Sequence, residues 1–527
     1  MELFALRKKW LSLRKDSCSQ DALCQLSRQV ALSFVDRYYQ SGTYEQEYIA
    51  VLCEMATSFS DMELNNTAAS ALFEIIVERL CDDFEGVPVE IYNQVMSQVI
   101  SYCRTVPQGA TLDKRLADFG LLSFEALCHR ANLVQNRKYT YKLDKPLKKV
   151  ILLSRVTIGA DVAILTVIIQ RLVKVFPQAE FMVIGSPKLQ GLFGGNPHIR
   201  ICALTYPRLG GLFERFSSWH GTLEILDRET APHCHEGTLL IDPDSRISQL
   251  GLLPLIRGEN YLFFNSRRHA SSSKGACMAE LANHWVDSVF GTTDFCYPRV
   301  WMPSAMRLKA RNMTASLRAA GCNRIVVVNF GVGTNPHKRV GIDLEKRLLP
   351  AILKDQKTVV LLDKGFGNEE LGQSAMLLSN IRNQGFTTTD IRFEDSEYPR
   401  MSDGVIGLTC TIGEIAALIA ESDEFIGYDS ACQHIAAAVG TPTLTIFAGS
   451  NNADFIRRWS AYGKGSRSVV HVDTLTDPQN IDIDEVTSRI MRERQKKRDI
   501  RQKAEFRILH TDFCLPKSTP DLKKQTL

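Results

Sequence analysis

The chain has 527 residues, too many for a single hydrophobic core, and at about 150 residues per domain it divides into roughly three. Hydrophobic residues make up 44% and charged residues 23%, as in ordinary globular chains, and a net charge of +4 over this length offers no concentrated basic face for nucleic acid. No apolar run reaches the length of a membrane span. The opening Met1-Glu2-Leu3-Phe4-Ala5-Leu6-Arg7-Lys8-Lys9-Trp10 lacks a signal peptide's apolar core and cleavage site, so a cytoplasmic protein is expected.

The 14 cysteines form no Cys-x-x-Cys pair, and Cys24, Cys53, Cys128 and Cys432 sit in apolar stretches as small hydrophobes, so no disulfide framework is expected. His233-Cys234-His235 has no second ligand pair at zinc-site spacing, and three neighbours cannot all converge on one ion. It reads as a loop, and no metal site is expected.

Residues 1–145 read as an all-helical domain. Leu23, Leu26, Val30, Leu32, Phe34 and Val35 form one helical stripe, and Ala71, Leu72, Ile75, Ile76 and Leu80 another. Polar breaks fall at Gln40-Ser41-Gly42, Phe84 to Pro88 and Val106 to Gly109, without a recognisable repeat. Residues 137–149 are a basic connector. At Lys149 the texture changes: Val150 to Leu153 is a short buried strand, Val162 to Phe176 a helix stopped by Pro177, and Glu180 to Gly185 the next strand. Thr238–Ile241 and Tyr261–Phe264 continue the pattern.

The same grammar restarts at Arg324 to Val328 and runs through Thr358 to Leu362, Glu424 to Gly427 and Thr443 to Phe447, with Tyr297 to Pro303 as the linker. The expected fold is α/β, with two doubly wound Rossmann-like domains facing a cleft. The expected boundaries are 1–145, 146–302, 303–482 and a charged terminal helix and tail at 483–527. That helix, rich in arginine and lysine from Glu485 to Leu509, reads as a solvated surface element. In such sheets ligands bind beyond the carboxyl ends of the strands, so the loops after Leu153, Val328, Leu362, Ile426 and Phe447 are the functional candidates.

The richest of these runs from Phe425 to Pro442. A strand ends at Gly427, Asp429-Ser430 open a helix, and the free N–H groups at its start form a ready anion site. Ser430 and His434, four apart, share one face. Helix capping explains Asp429 or Ser430 equally, but not a histidine in so apolar a helix. This segment resembles the signature of glycosyltransferase family nine, the ADP-heptose:lipopolysaccharide heptosyltransferases: Asp-(Ser/Thr)-Gly-x-x-His, small residues, then Gly-x-Pro. Asp429, Ser430, His434, Gly440 and Pro442 match, and Ala431 replaces the glycine.

The loop Arg155 to Val162 is similar to the family's Arg-x-Ser-Ser-x-Gly-Asp-Val loop, with the glycine one place early at Gly159. The resemblance makes Asp161 the general base; an N-cap at the same helix start is the alternative. Asn329 to Arg339 resembles the family's small-residue loop ending in a lysine, which assigns Lys338 to the leaving diphosphate and puts Thr334 among the donor contacts. Val340 stands where the family has an aromatic residue. Gly365 to Glu370 resembles the ribose-binding loop, leaving Glu369 and Glu370 as equal candidates. On the acceptor side stand Arg155 and the polar run Asp242, Asp244, Arg246, which Asx-turn chemistry explains nearly as well.

The resemblance covers residues 148–480. It implies a GT-B enzyme that moves a sugar, with inversion and without a metal or other cofactor, from an ADP-linked or related donor to a glycan, lipid-linked or protein acceptor. Contact with the inner face of a membrane and self-association through the helical domain stay open. Two rivals remain. A sugar-nucleotide epimerase would need acid and base carboxylates in the second domain. A non-catalytic scaffold would use the helices to bind a partner.

Overall fold

The computed structural model describes residues 2–14, 18–78, 86–141, 147–230, 237–256, 258–267, 275–333, 335–395 and 397–496. His233-Cys234-His235, Thr334 and the end of the charged helix with its tail lie outside the described residues.

Among the described residues up to 141 the regular elements are helices: α1 (Glu2–Leu13), α2 (Gln20–Ser41), α3 (Gln46–Met55), α4 (Met62–Ser70, continuing as a π-helical turn at Ala71–Val77), α5 (Gly86–Cys103), α6 (Ala110–Asp118) and α7 (Phe124–Asn136). Local chemistry sets several of their ends. Ser19 and Ser123 accept N-terminal backbone N–H groups of α2 and α7, and Gly42 closes α2 in the left-handed region at φ 65°.

Five strands form the first sheet: β1 (Lys149–Leu153), β2 (Glu180–Gly185), β3 (Ile199–Ala203), β4 (Thr238–Asp242) and β5 (Tyr261–Phe263). All pair parallel in the order β3-β2-β1-β4-β5. After β1 comes α8, which runs from Ile158 through a π-helical turn at Asp161–Leu165 to Val175. Helix α9 (Leu212–Thr230) precedes β4, and α10 (Met278–Phe290) follows β5.

Strand alternation divides this sheet between two cores. Val150, Leu152, Phe181, Val183, Leu239 and Ile241 pack with α8 and α10. Their neighbours Ile151, Leu153, Met182, Ile184, Leu240 and Phe263 pack with α9 and with the N-terminal helices, through residues such as Tyr92, Val99, Leu127 and Val134. The helical segment therefore shares with α9 the core on one face of the first sheet. It is also tied on by polar contacts to the loop after β4: Gln135 Nε2 donates to Leu250 O (3.0 Å), Arg130 Nε to Leu252 O (3.1 Å) and Tyr92 to Gln249 (3.3 Å). Gly251 lies at φ 89°, where a side chain would meet Val134 at 2.9 Å.

After α11 (Ser304–Ala319) the second sheet begins, with β6 (Arg324–Asn329), α12 (Ile342–Leu353), β7 (Thr358–Asp363), α13 (Gly367–Asn383), β8 (Thr388–Arg392) and β9 (Gly404–Thr409). It is completed by α14 (Ile412–Ala420), β10 (Glu424–Tyr428), α15 (Ala431–Val439), β11 (Thr443–Phe447), α16 (Ala453–Trp459) and β12 (Arg467–His471). All seven strands are parallel, in the order β12-β11-β10-β6-β7-β9-β8. Helices α12 and α13 cover one face, and α11 and α14 the other. One apolar cluster continues from α8 and α10 of the first half into α11 and α14 of the second. Gly191 and Gly413 meet across it so closely that a Cβ on either would lie about 3 Å from the other's backbone.

The charged helix at 483–496, α17, is not simply a solvated element. Val486 and Ile490 join the second sheet's core. Arg494, 1% exposed, sends Nε to Glu424 (2.9 Å) and Nη1 to Asp355 (2.7 Å). Its arginine and lysine content suggested a wet surface, but one arginine of the series is buried on two carboxylates.

Candidate functional site

Strand order reverses between β1 and β4 in the first sheet and between β6 and β10 in the second. Helices leave such a point in opposite directions, so a crevice opens at the carboxyl ends of those strands. The crevices are lined by the ends of β1 and β4 on one side and of β6 and β10 on the other.

In the second sheet, Asp429 follows β10 and is 5% exposed. Lys338 Nζ donates to its Oδ2 at 2.6 Å, and Gln433 Nε2 to its Oδ1 at 2.5 Å. Gln433 is itself fixed by Thr445, whose hydroxyl donates to Oε1 (3.0 Å), and by Trp459 O (3.2 Å). Ser430 is the N-cap residue of α15, yet its side chain accepts none of that helix's N–H groups. Its hydroxyl is 3.2 Å from Asn329 Oδ1, whose amide donates to Asp363 Oδ2 (2.7 Å). The capping alternative for Ser430 therefore fails, and the start of α15 keeps its positive end uncapped by a side chain, with an ammonium group alongside.

Glu370 and Glu369, equal candidates from the sequence, occupy different surroundings. Glu370 accepts from Val332 N (3.2 Å) and Phe366 N (2.7 Å), joining the loops after β6 and β7. Glu369 is exposed. Burial pushes Asp363 up to about 6, against the hydrogen bonds it accepts from Gly365 and Asn329.

In the first sheet, Asp161 is 1% exposed. Its Oδ2 accepts from Ser154 (2.7 Å) and its Oδ1 from the Arg155 backbone N–H (2.7 Å). The carboxylate thus closes the turn after β1, where Val156 adopts φ 62°. Burial pushes Asp161 up to about 7, outweighing these two hydrogen bonds and the Arg155 charge. The folded protein then holds a proton there that the unfolded chain releases above its value of 3.8. Stability from this group falls as pH rises from about 4 to about 7. Asp161→Asn removes the titration, so thermal melts across that range are expected to shift progressively in the variant's favour relative to the parent. A constant difference between the two would contradict the burial argument.

Asp244, 3% exposed with φ 66°, gathers cations: Ser266 donates to its Oδ2 (2.6 Å), with Arg155 (3.4 Å) and Arg267 (3.6 Å) beside it. Arg246 adds a further positive charge near Arg155, which burial lowers from its usual range. Asp242 is fully buried, bonded to Tyr261 Oη (2.7 Å) and Ser245 N (2.7 Å). It braces the loop and does not reach the arginine group, as Asx-turn chemistry anticipated.

The two crevices meet. A Cβ on Gly159 would lie 3.0 Å from the His434 ring and 3.3 Å from Ala431 Cα. The two departures from the family pattern, the displaced glycine and the alanine in place of glycine, thus pack on each other. Burial pushes His434 down to about 4, so its imidazole is neutral at pH 7, with the Trp459 ring edge-on at 6.1 Å. Helix α16 completes the junction: Arg155 stacks on Trp459 (5.7 Å), and Arg458 donates to Ser266 O (3.0 Å).

The structure thus brings Lys338, Asp429, Ser430 and His434 together, and sets Asp161 and Arg155 opposite. Thr334 is outside the described residues. Sequence reasoning missed Asn329, Asp363, Gln433, Arg267, Arg458 and Trp459. Asn329 and Asp363 carried a usable signal, each being a polar residue closing an apolar strand run. Among the described residues no group of three histidine, cysteine or acidic side chains is placed to hold a metal ion, and no helix is long and apolar enough to cross a membrane.

Among solved structures, the chain is similar to a family 9 glycosyl transferase from Veillonella parvula (16% identity, 64% of this chain and 87% of that one, TM-score 0.45). It is also similar to ADP-heptose lps heptosyltransferase II of E. coli (14%, 66% and 99%, 0.44) and to E. coli heptosyltransferase WaaC with ADP (13%, 65% and 99%, 0.41). No curated protein matches it. The family model of glycosyltransferase family 9 (heptosyltransferase) matches residues 403–475, which span β9 to β12 and hold Asp429, Ser430, Gln433, His434 and Trp459. Over these residues the chain is similar to glycosyltransferase family 9.

Proposed function

We propose that the protein transfers a sugar from a nucleoside diphosphate to an acceptor hydroxyl, with inversion at the anomeric carbon. The observation that carries this is the start of α15 at the second sheet's switch point, uncapped and inside the family-matched segment, with Lys338, from outside that segment, on Asp429 beside it. A departing diphosphate needs fixed positive charge where its own charge develops, and backbone N–H groups with an ammonium supply it.

In the transfer, the acceptor oxygen bonds the anomeric carbon while the bond from that carbon to the diphosphate oxygen breaks. The acceptor proton passes to Asp161, and the electron pair leaves with the diphosphate toward Lys338 and α15. A carboxyl raised to about 7 matches a base working near neutrality. His434, neutral, shapes the wall between donor and acceptor. By the family resemblance the donor is ADP-heptose, and Glu369 or Glu370 would bind its ribose. The acceptor is a glycan, a lipid-linked sugar or a protein.

The test is a panel of nucleotide sugars followed by product release, with and without candidate acceptors. One donor is expected to turn over, and Lys338→Ala is expected to lower kcat/KM about 100-fold or more, since it removes a charge that meets the leaving group. No turnover of any donor would overturn the reading.

A further inference from the structure

Phe366 follows β7 and immediately precedes α13, and the fold alone gives no reason for an aromatic ring there. It is the N-cap residue of that helix, where serine, threonine, asparagine or aspartate would engage the free N–H groups, and its side chain engages none. Burial offers little in return, since 51% of the residue stays exposed. The turn that carries the ring is nonetheless well fixed. Gly365 and Gly367 on either side take φ 74° and 83°. Glu370 closes on it, with Oε2 accepting from Phe366 N (2.7 Å) and Oε1 from Val332 N (3.2 Å). Lys188, from the turn after β2 in the first half, sets its ammonium group 4.8 Å from the ring centroid. Among the described residues no other ring or cation stacks on Phe366, so the opposite face of the ring is free of such partners.

This turn lies on the same carboxyl edge as the start of α15. Strands β10, β6 and β7 are neighbours, so Ser430 and Phe366 follow strands two spacings apart, about 10 Å. The loops between them touch: Ser430 bonds Asn329 (3.2 Å), and a Cβ on Gly331 would lie 3.2 Å from Glu370 Oε1. On the other side of β10 the edge is filled by α16, where Gln433 bonds Trp459 O and Arg155 stacks on the Trp459 ring. A diphosphate at the start of α15 therefore has its nucleoside directed toward β7, and a flat, half-exposed ring stands on that path.

We propose that the open face of Phe366 stacks on the base of a nucleoside diphosphate whose phosphates sit at the start of α15. The inference rests on the sugar-transfer reading above and adds to it the group that holds the donor's heterocycle. Every base has a π-face, so the ring supplies affinity and orientation and leaves the choice among bases to other contacts. The probes are ADP, GDP, UDP and inorganic pyrophosphate, titrated calorimetrically into the full chain and into Phe366→Ala, Phe366→Leu and Phe366→Trp. Pyrophosphate has no base, so its binding reports whether the phosphate end of the site is intact in each variant. The nucleoside diphosphate that binds the parent is expected to bind about tenfold or more weakly to the alanine and leucine variants, and within about threefold of the parent to the tryptophan variant. Pyrophosphate is expected to bind all four proteins equally. Leucine matching phenylalanine would show that apolar bulk suffices, and pyrophosphate weakening in step with the nucleotide would show that Phe366 only shapes the loop. Either result would overturn this proposal and leave the transfer reading standing. Failure of the parent to bind any nucleoside diphosphate would contradict the transfer reading itself, and this inference with it.

Discussion

Deletion of residues 1–146 is expected to leave the remaining chain insoluble. Ile151, Leu153, Met182, Ile184 and Leu240 are each buried completely, and all five face the helical segment and α9. Burying side chains of this size is worth about 1.5–3 kcal/mol each, so the set contributes roughly 10 kcal/mol, comparable with the whole stability of a domain. Helix α9 shields part of that face, but Tyr92, Val99, Leu127 and Val134 go with the deletion. The loop after β4 also loses its bonds to Tyr92, Arg130 and Gln135, leaving the Leu250 and Leu252 carbonyl oxygens without those partners. Fractionation of the expressed protein and size-exclusion chromatography would decide. A soluble, monodisperse remainder with the parent's melting temperature would show that the helices are an appendage.

Asp161→Asn is expected to lower sugar transfer by about 10²–10⁴-fold while leaving donor affinity unchanged. The substitution suits its surroundings. The introduced amide can still accept from Arg155 N through its oxygen, and its nitrogen can donate to the Ser154 hydroxyl, which already accepts from Val156 N at 2.9 Å. The turn after β1 therefore survives, and what is lost is the ability to take a proton. In the proposed function donor binding falls to the start of α15 and Lys338, whereas the hydrogen-bond partners of the Asp161 carboxylate are Ser154 and the Arg155 backbone. Steady-state transfer rates and calorimetric donor titration separate the two effects. Loss of donor affinity in step with rate would mean that Asp161 acts by holding the loop.

The central strands were legible because a parallel strand covered on both faces is a continuous apolar run: Val150 to Leu153, Arg324 to Val328 and Thr358 to Leu362 all lie in strands. The edge strands β3, β8 and β12 escaped notice because each has at most one buried residue and so carries no continuous apolar run, and β9 because Gly404 and Gly407 interrupt its apolar pattern. The helices of the first 140 residues were readable from their stripes. Their role was not, since a strand buried on both faces reads the same whichever helices cover it. At the site, Lys338 and Asp429 announced themselves by position after strands. Gln433 read as one more residue of an apolar helix, and Arg155 and Trp459, 304 positions apart in sequence, are joined only by the fold. The buried Arg494 was hidden among charged neighbours that face water.

The most direct test of the account is calorimetric titration of the intact chain with a panel of nucleoside diphosphates, repeated on Lys338→Ala. One diphosphate, ADP by the family resemblance, is expected to bind one to one. Its affinity is expected to fall about tenfold or more in the variant, because a charged contact to the diphosphate is lost where α15 begins. Absence of binding for every diphosphate, or equal affinity in the two proteins, would contradict the assignment of the α15 terminus and Lys338 as the site that holds the leaving group.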